Sequence, residues 1–330
     1  MPEEMDLNKP VIALAMGDPA GISPELTAKV VTLDEVRKAA RVVVIGDRRV
    51  YDEGVKVAGK SAAPDEFVDL KHLDPATIKR GVASKEGGAS ALANYRHALR
   101  MVADGKASAV CLTPFNKQAM RLADASYDDE IGFTAGVLGF KGVATEFNIL
   151  EGLWNARVTS HIPLSKVAAS LTIDRIVEGL ELTATALRAA GFEPPRIGVA
   201  ALNPHAGDGG NFGREEIDII EPAVKKAKAK GLPADGPYPA DTVFVRAKAG
   251  QFDAVLTMYH DQGQIAMKLM GFDRGVTLLG GFPFPICTPA HGTAYDIAGK
   301  GVANIGATRA ALLLAAQMAQ RQAATPTIRT

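Results

Sequence analysis

Cysteine is scarce in this chain of 330 residues: Cys111 and Cys287 are the two, and neither belongs to a Cys-x-x-Cys pair. A disulfide framework and a thiolate zinc cluster are thereby excluded. Net charge is also missing, since 37 Lys plus Arg balance 37 Asp plus Glu. A surface for nucleic acid or anionic lipid needs a basic excess, so neither partner is expected. Long apolar runs are absent too. Even Ala310–Ala319 falls short of the ~20 residues that span a bilayer, and Gln and Arg follow it. The first residues, Met-Pro-Glu-Glu-Met-Asp, are acidic where a signal peptide carries positive charge. Together these absences predict a soluble, cytoplasmic protein with a small-molecule partner.

What is present is an ordinary globular balance, 47% apolar and 22% charged, in a chain long enough for two domains or one large unit. Apolar β-branched runs at 11–15, 41–45, 109–112, 146–150, 156–160, 197–202 and 253–259 read as strands. Apolar residues at three-to-four spacing mark helices over 23–31, 89–103, 173–190, 215–230 and 303–322. In one of these, Ile173, Ile176, Val177, Leu180, Ala184 and Leu187 form a stripe that Gly191 closes. Alternating strands and helices predict an α/β architecture with a mostly parallel sheet.

Three histidines share a position. His161, His205 and His260 each lie at or just past the end of an expected strand. That edge is where open α/β sheets bind ligands. One such histidine needs only to bond a loop, but three at equivalent places suit a divalent metal with positions left for substrate. Asp261 follows His260 directly, and Lys268 lies eight residues on, two turns away if the stretch is helical. A lysine beside a cation has its ammonium form destabilised and becomes an acid–base candidate; otherwise it is a solvated surface lysine.

Two glycine-rich loops join strands to helices. Asn203–Gly213 has the order of an anion-binding loop but neither Rossmann nor Walker spacing. Met16–Glu25 places Ser23 before Pro24, an N-cap signal, and reads equally well as a tight turn. A third run, His291-Gly-Thr-Ala-Tyr-Asp-Ile-Ala-Gly-Lys-Gly-Val-Ala-Asn304, combines glycines with a polar set that suits close approach to a ligand. It resembles the loop of the β-hydroxyacid oxidative decarboxylases that binds the adenosine half of NAD(P).

These motifs, with Gly236–Thr242, occur in one order over residues 10–320 and together resemble the 4-hydroxythreonine-4-phosphate dehydrogenase family. The resemblance implies an isopropylmalate-dehydrogenase-like fold, two α/β domains with a cleft between them. It places 1–125 plus 272–330 in a first domain with the cofactor loop, and 126–271 in a second with the metal site and dimer interface. It further implies a homodimer and one divalent ion (Zn, Mg, Mn or Co) held by His161, His205 and His260 from both subunits. NAD, with NADP as the alternative, would lie on His291, Gly292, Thr293, Ala294, Asp296, Gly299 and Asn304. Lys268, Asp241 and Asp261 match the family's active-site lysine and aspartates.

The family's substrate motif Gly-His-Thr-Glu is matched by Gly132-Phe133-Thr134-Ala135, and its substrate-binding Asn and Arg fall on Thr277 and Ile286. Ile286 removes a positive charge with bidentate reach, worth about 1.5–3 kcal/mol toward a phosphate. The expected substrate contacts are therefore Thr134, Lys268, Phe133, Thr277 and Ile286, in a more apolar pocket. The resemblance implies oxidation of a secondary alcohol to a ketone, with loss of CO₂ where the product is a β-keto acid. Dehydrogenases of cis-dihydrodiol carboxylates, the terephthalate dihydrodiol type, depart similarly and are the alternative. A phosphate acyltransferase is the alternative from another class.

Overall fold

The computed structural model describes residues 9–59 and 63–324, so the acidic residues 1–6 lie outside the description. Its strands are β1 (Val11–Ala15), β2 (Arg41–Gly46), β3 (Glu66–Asp69), β4 (Ala109–Leu112), β5 (Thr145–Leu150), β6 (Leu153–Arg157), β7 (Ile197–Ala200), β8 (Ala234–Tyr238), β9 (Ala254–Thr257), β10 (Val276–Gly280) and β11 (Ile286–Pro289). Its helices are α1 (Ser23–Val30), α2 (Asp34–Ala39), α3 (Arg48–Ala58), α4 (Lys85–Ala103), α5 (Lys117–Ala123) and α6 (Glu130–Leu138). They continue with α7 (Val167–Ser170), α8 (Ile173–Ala189), α9 (Glu221–Ala229), α10 (Ala240–Lys248), α11 (His260–Gly271) and α12 (Gly306–Ala324). The architecture is α/β. The chain divides into two compact units, Met1–Val143 with Val276–Thr330, and Ala144–Gly275.

In the first unit β3, β2, β1, β4 and β11 pair in parallel, and β10 returns antiparallel to β11. Every residue of β4 is buried, as continuous apolar runs in a parallel sheet require. Ser84 caps α4, its hydroxyl accepting from the Gly87 N–H. Helix α6 packs on α4, where the Thr134 and Tyr95 hydroxyls pair, so Phe133 and Thr134 belong to this unit rather than the second. Ser23 does not cap α1. Ile22 holds that position, and the Ser23 hydroxyl donates to the Pro114 carbonyl.

In the second unit β5 and β6 form a hairpin whose two-residue turn ends on Gly152, at a φ of +78° that favours glycine. From β6 the sheet runs in parallel through β9 and β7 to β8. Along α8 the expected stripe is buried at Ile176, Val177, Leu180, Ala184 and Leu187, and Thr172 caps its start. The helix expected over 215–230 is one π turn at Glu216–Ile220 followed by α9. Pro222 has no N–H and crowds the carbonyl four residues back, which opens the preceding turn. Val243, Phe244 and Ala247 of α10 and Met267 of α11 pack with Leu153, Ala200 and Val255 into one cluster. Among the described residues no helix is long and apolar enough to cross a membrane.

Candidate active site

The four parallel strands of the second unit carry polar side chains at their C-terminal edge. Four residues past β6 stands His161; three past β9 stands His260, the first residue of α11, followed by Asp261. Five past β7 stands His205, and three past β8 stands Asp241, in the first turn of α10. A parallel arrangement brings these loops out on one side, so distant segments of the chain share one edge.

The His161 and His260 ring centroids are 5.6 Å apart. Both side chains line a cavity of about 410 Å³ with Ser160, Ile162, Tyr259 and Asp261. His260 Nδ1 lies 2.6 Å from Asp261 Oδ1. A carboxylate only accepts, so it holds the proton on Nδ1 and leaves the Nε2 lone pair for a ligand. His205 packs instead against Phe212, with ring centroids 6.1 Å apart. Among the described residues no three His, Cys, Asp or Glu side chains gather as a metal site within the chain. The imidazole donors themselves, one of them oriented by a carboxylate, fit a divalent transition metal.

His205 sits in an unusual turn. Residues 205–210 all have positive φ, including His205 at 53°, Ala206 at 55° and Asp208 at 46°. Each non-glycine residue in this left-handed region costs roughly 1–2 kcal/mol, so the surroundings must hold it there. Glu216 does so. Its Oε1 accepts the backbone N–H groups of Leu202 and Asn203, and its Oε2 accepts from Asn203 Nδ2. Gly207 passes so close that an added Cβ would meet Oε2 at 2.7 Å. The acidic pair Glu215-Glu216 suggests only a helix-dipole partner in the sequence, so this anchoring role was not legible there.

Helix α11 confirms the helical setting of Lys268. Eight residues place it about 12 Å along the axis from His260 and about 80° around it. Its side chain is exposed.

In the first unit the Met16–Glu25 and His291–Asn304 loops pack on each other. The Ile22 N–H donates to the Thr293 carbonyl at 3.0 Å, and an added Cβ on Gly21 would lie 2.7 Å from that oxygen. The Tyr295 hydroxyl donates to Asp18 Oδ2 at 2.5 Å. Asp18 is 1% exposed, and burial pushes its carboxyl above the ordinary carboxylate range. Gly299, at a φ of +77°, lies under the Arg80 guanidinium. Pro19, Gly21, Ile78, Arg80 and Gly299 wall a cavity of about 390 Å³. Glycine at 21 and 299 lets Thr293 and the Arg80 side chain close on the backbone at this wall. Thr293 is buried, Ala294 half-buried, Gly292 and Asp296 exposed, and His291 Nδ1 contacts the Gly292 carbonyl. Asn304 Oδ1 accepts from the Gly306 N–H at the start of α12.

Of the expected substrate residues of this unit, Thr134 and Ile286 are buried, whereas Phe133 and Thr277 are half-buried and Phe133 lines a cavity of about 490 Å³ with Arg96, Arg100 and Tyr127. Ile286 is 0% exposed, in β11 opposite Val110, so its side chain belongs to the core and is not an apolar pocket wall. Thr134 is also 0% exposed, its hydroxyl engaged by Tyr95. Phe133 stacks on Tyr95 at 5.3 Å with Arg96 over its ring. Thr277 is half-buried on β10 opposite Thr288.

The family model described as pyridoxal phosphate biosynthetic protein PdxA matches residues 37–315. A Rhizobium meliloti protein, provisionally named 4-hydroxythreonine-4-phosphate dehydrogenase 2, is 61% identical over 96% of this chain and 95% of its own length. The crystal structure of 4-hydroxythreonine-4-phosphate dehydrogenase from Klebsiella pneumoniae is 34% identical, with a TM-score of 0.82 over 94% of this chain and 98% of that one. A terephthalate 1,2-cis-dihydrodiol dehydrogenase structure from Burkholderia xenovorans is 27% identical, with a TM-score of 0.65 over 91% and 98%. With a family model covering most of its length and a 61% identical relative spanning nearly all of it, the chain belongs to the PdxA family.

Proposed function

We propose that this protein is an NAD-dependent, divalent-metal-dependent dehydrogenase acting on 4-hydroxythreonine-4-phosphate or a close analogue. The reading rests on one observation: His161, His205, His260, Asp261 and Asp241 all stand at the C-terminal edge of β6, β7, β8 and β9. His161, His205 and His260 hold the cation. Their distribution within one chain favours a homodimer in which ligands come from both subunits. Bound there, a divalent ion would lower the pKa of a secondary alcohol, and a nicotinamide would supply the hydride acceptor.

Asp261 keeps His260 oriented with Nε2 toward the site. The base that takes the alcohol proton is Lys268 or, alternatively, a water held by Asp241 or Asp261. Residues 291–304 carry the adenosine half of NAD beside the cavity walled by Arg80 and Gly299, and NADP is the alternative at the same place. Oxidation of a hydroxyl β to a carboxylate yields a β-keto acid, which loses CO₂. The setting is cytoplasmic pyridoxine biosynthesis. An acyltransferase reading finds no support beside the dehydrogenase relatives.

The test is NADH formation with 4-hydroxythreonine-4-phosphate, with and without a chelator. Turnover abolished by the chelator and restored by Zn²⁺, Mn²⁺ or Co²⁺ is expected; chelator-insensitive turnover would overturn the metal role. A second reading, a cis-dihydrodiol carboxylate as substrate, is favoured by Thr277 and Phe133 standing where the family has Asn and His. Terephthalate dihydrodiol in the same assay decides between them.

A further inference from the structure

Tyr295 lies in the middle of the proposed dinucleotide loop, and its hydroxyl reaches Asp18 at the end of a loop more than 270 residues earlier. Asp18 is buried and fully engaged: Oδ2 accepts from Tyr295, and Oδ1 accepts the Ala20 N–H at 2.8 Å. Backbone bonds flank this contact on both sides. The Ile22 N–H donates to Thr293 O at 3.0 Å, and the Gly81 N–H donates to Ala20 O at 2.9 Å. Between Thr293 and Tyr295, Ala294 is held at φ 43° and ψ 59°. An alanine stays in that left-handed conformation only where its neighbours on both sides are fixed. Thr293 is fixed through its carbonyl. Tyr295 is fixed through its hydroxyl.

We propose that the Asp18–Tyr295 hydrogen bond is a positioning device that keeps Ala294 left-handed and so sets the path of residues 291–301 for dinucleotide binding. The proposal rests on reading this segment as the dinucleotide loop. Asp18 and Tyr295 act through Ala294 and are positioning residues, not groups that touch the reacting atoms. Without the hydroxyl, the backbone at Ala294 relaxes toward negative φ and the following turn, Tyr295–Ile297, swings away from its seat. A glycine at 294 occupies the left-handed region without strain and makes the hydrogen bond dispensable.

The experiment compares wild type, Tyr295→Phe, Ala294→Gly and the double variant. NADH affinity is read by fluorescence titration, NAD KM and kcat by turnover, and loop opening by amide hydrogen exchange over 291–301. Tyr295→Phe is expected to weaken NADH binding and raise the NAD KM by about tenfold or more, with kcat nearly unchanged and faster exchange in the loop. The double variant recovers both affinity and protection. Unchanged affinity and exchange in Tyr295→Phe, or a double variant no better than it, would overturn the proposal. Should Tyr295→Phe alone fail to fold, Ala294→Gly against the double variant reads the same bond: equal NADH affinity supports the proposal, and a tenfold loss overturns it. Wild-type protein that binds neither NADH nor NADPH overturns the cofactor reading of the loop, and the proposed role with it.

Discussion

The Glu216 carboxylate grips Asn203 with both oxygens, Oε1 accepting its backbone N–H at 2.7 Å and Oε2 its side-chain Nδ2 at 3.0 Å. This double hold fixes the entry to the left-handed turn on which His205 stands. Glu216→Gln keeps the shape but turns an amide N–H₂ toward the Asn203 amide, leaving a donor without an acceptor. The expected cost is about 1–3 kcal/mol in urea unfolding. Divalent-metal affinity, titrated separately, is expected to fall as the turn loosens; a variant with unchanged stability and affinity would show that the turn needs no anchor.

Asp261 touches His260 yet is 73% exposed, so its contribution is to orientation rather than to the core. Asp261→Ala is expected to weaken metal binding roughly 10–100-fold, as removal of a carboxylate behind a ligating imidazole does. Thermal stability should hardly change, because an exposed pair of this kind contributes about 0–1 kcal/mol. Calorimetric titration with Zn²⁺ or Mn²⁺ together with a melting curve separates the two effects.

Much of this fold is legible in the residues, and the exceptions have physical reasons. Val11–Ala15 and Ala109–Leu112 match their strands because parallel strands buried on both faces are continuous apolar runs. β6 starts three residues before its expected position because polar Asn155 interrupts the apolar run, while Arg157 lies in the strand as expected. Both are buried and bonded to neighbouring strands, Asn155 Nδ2 donating to the Val255 carbonyl and the Arg157 guanidinium to Asn148 Oδ1. β8, Ala-Asp-Gly-Pro-Tyr, has the composition of a turn and survives as a strand paired to β7. In the candidate site the histidines were visible because strand ends are positional. Glu216 and Asp18 were not, since a buried acceptor of backbone N–H groups has no sequence signature.

The two cysteines test burial directly. Cys111 and Cys287 face each other in register on β4 and β11, both fully buried. Burial pushes the Cys111 thiol up to about 12 and raises Cys287 well above its ordinary value. Native protein at pH 8 is therefore expected to leave both thiols unreacted with a disulfide reagent over the time in which unfolded protein titrates two. Rapid native labelling would contradict the packing of this sheet.

Restoring an arginine at position 286 looks, from the sequence, like the way to recover phosphate recognition. The packing of β11 predicts a different outcome. Ile286 has no exposed surface and sits between neighbouring strands, so Ile286→Arg buries a guanidinium with no partner. A loss of more than about 4 kcal/mol, visible as insoluble or unfolded protein, is the expected result. Thr277→Asn is the informative change, because Thr277 is half-buried and an amide adds a donor with modest extra volume. If the substrate is phosphorylated, Thr277→Asn should raise kcat/KM for 4-hydroxythreonine-4-phosphate several-fold while leaving the melting temperature within a few degrees. A gain of phosphate turnover in a stable Ile286→Arg variant would instead mean that β11 opens toward the substrate.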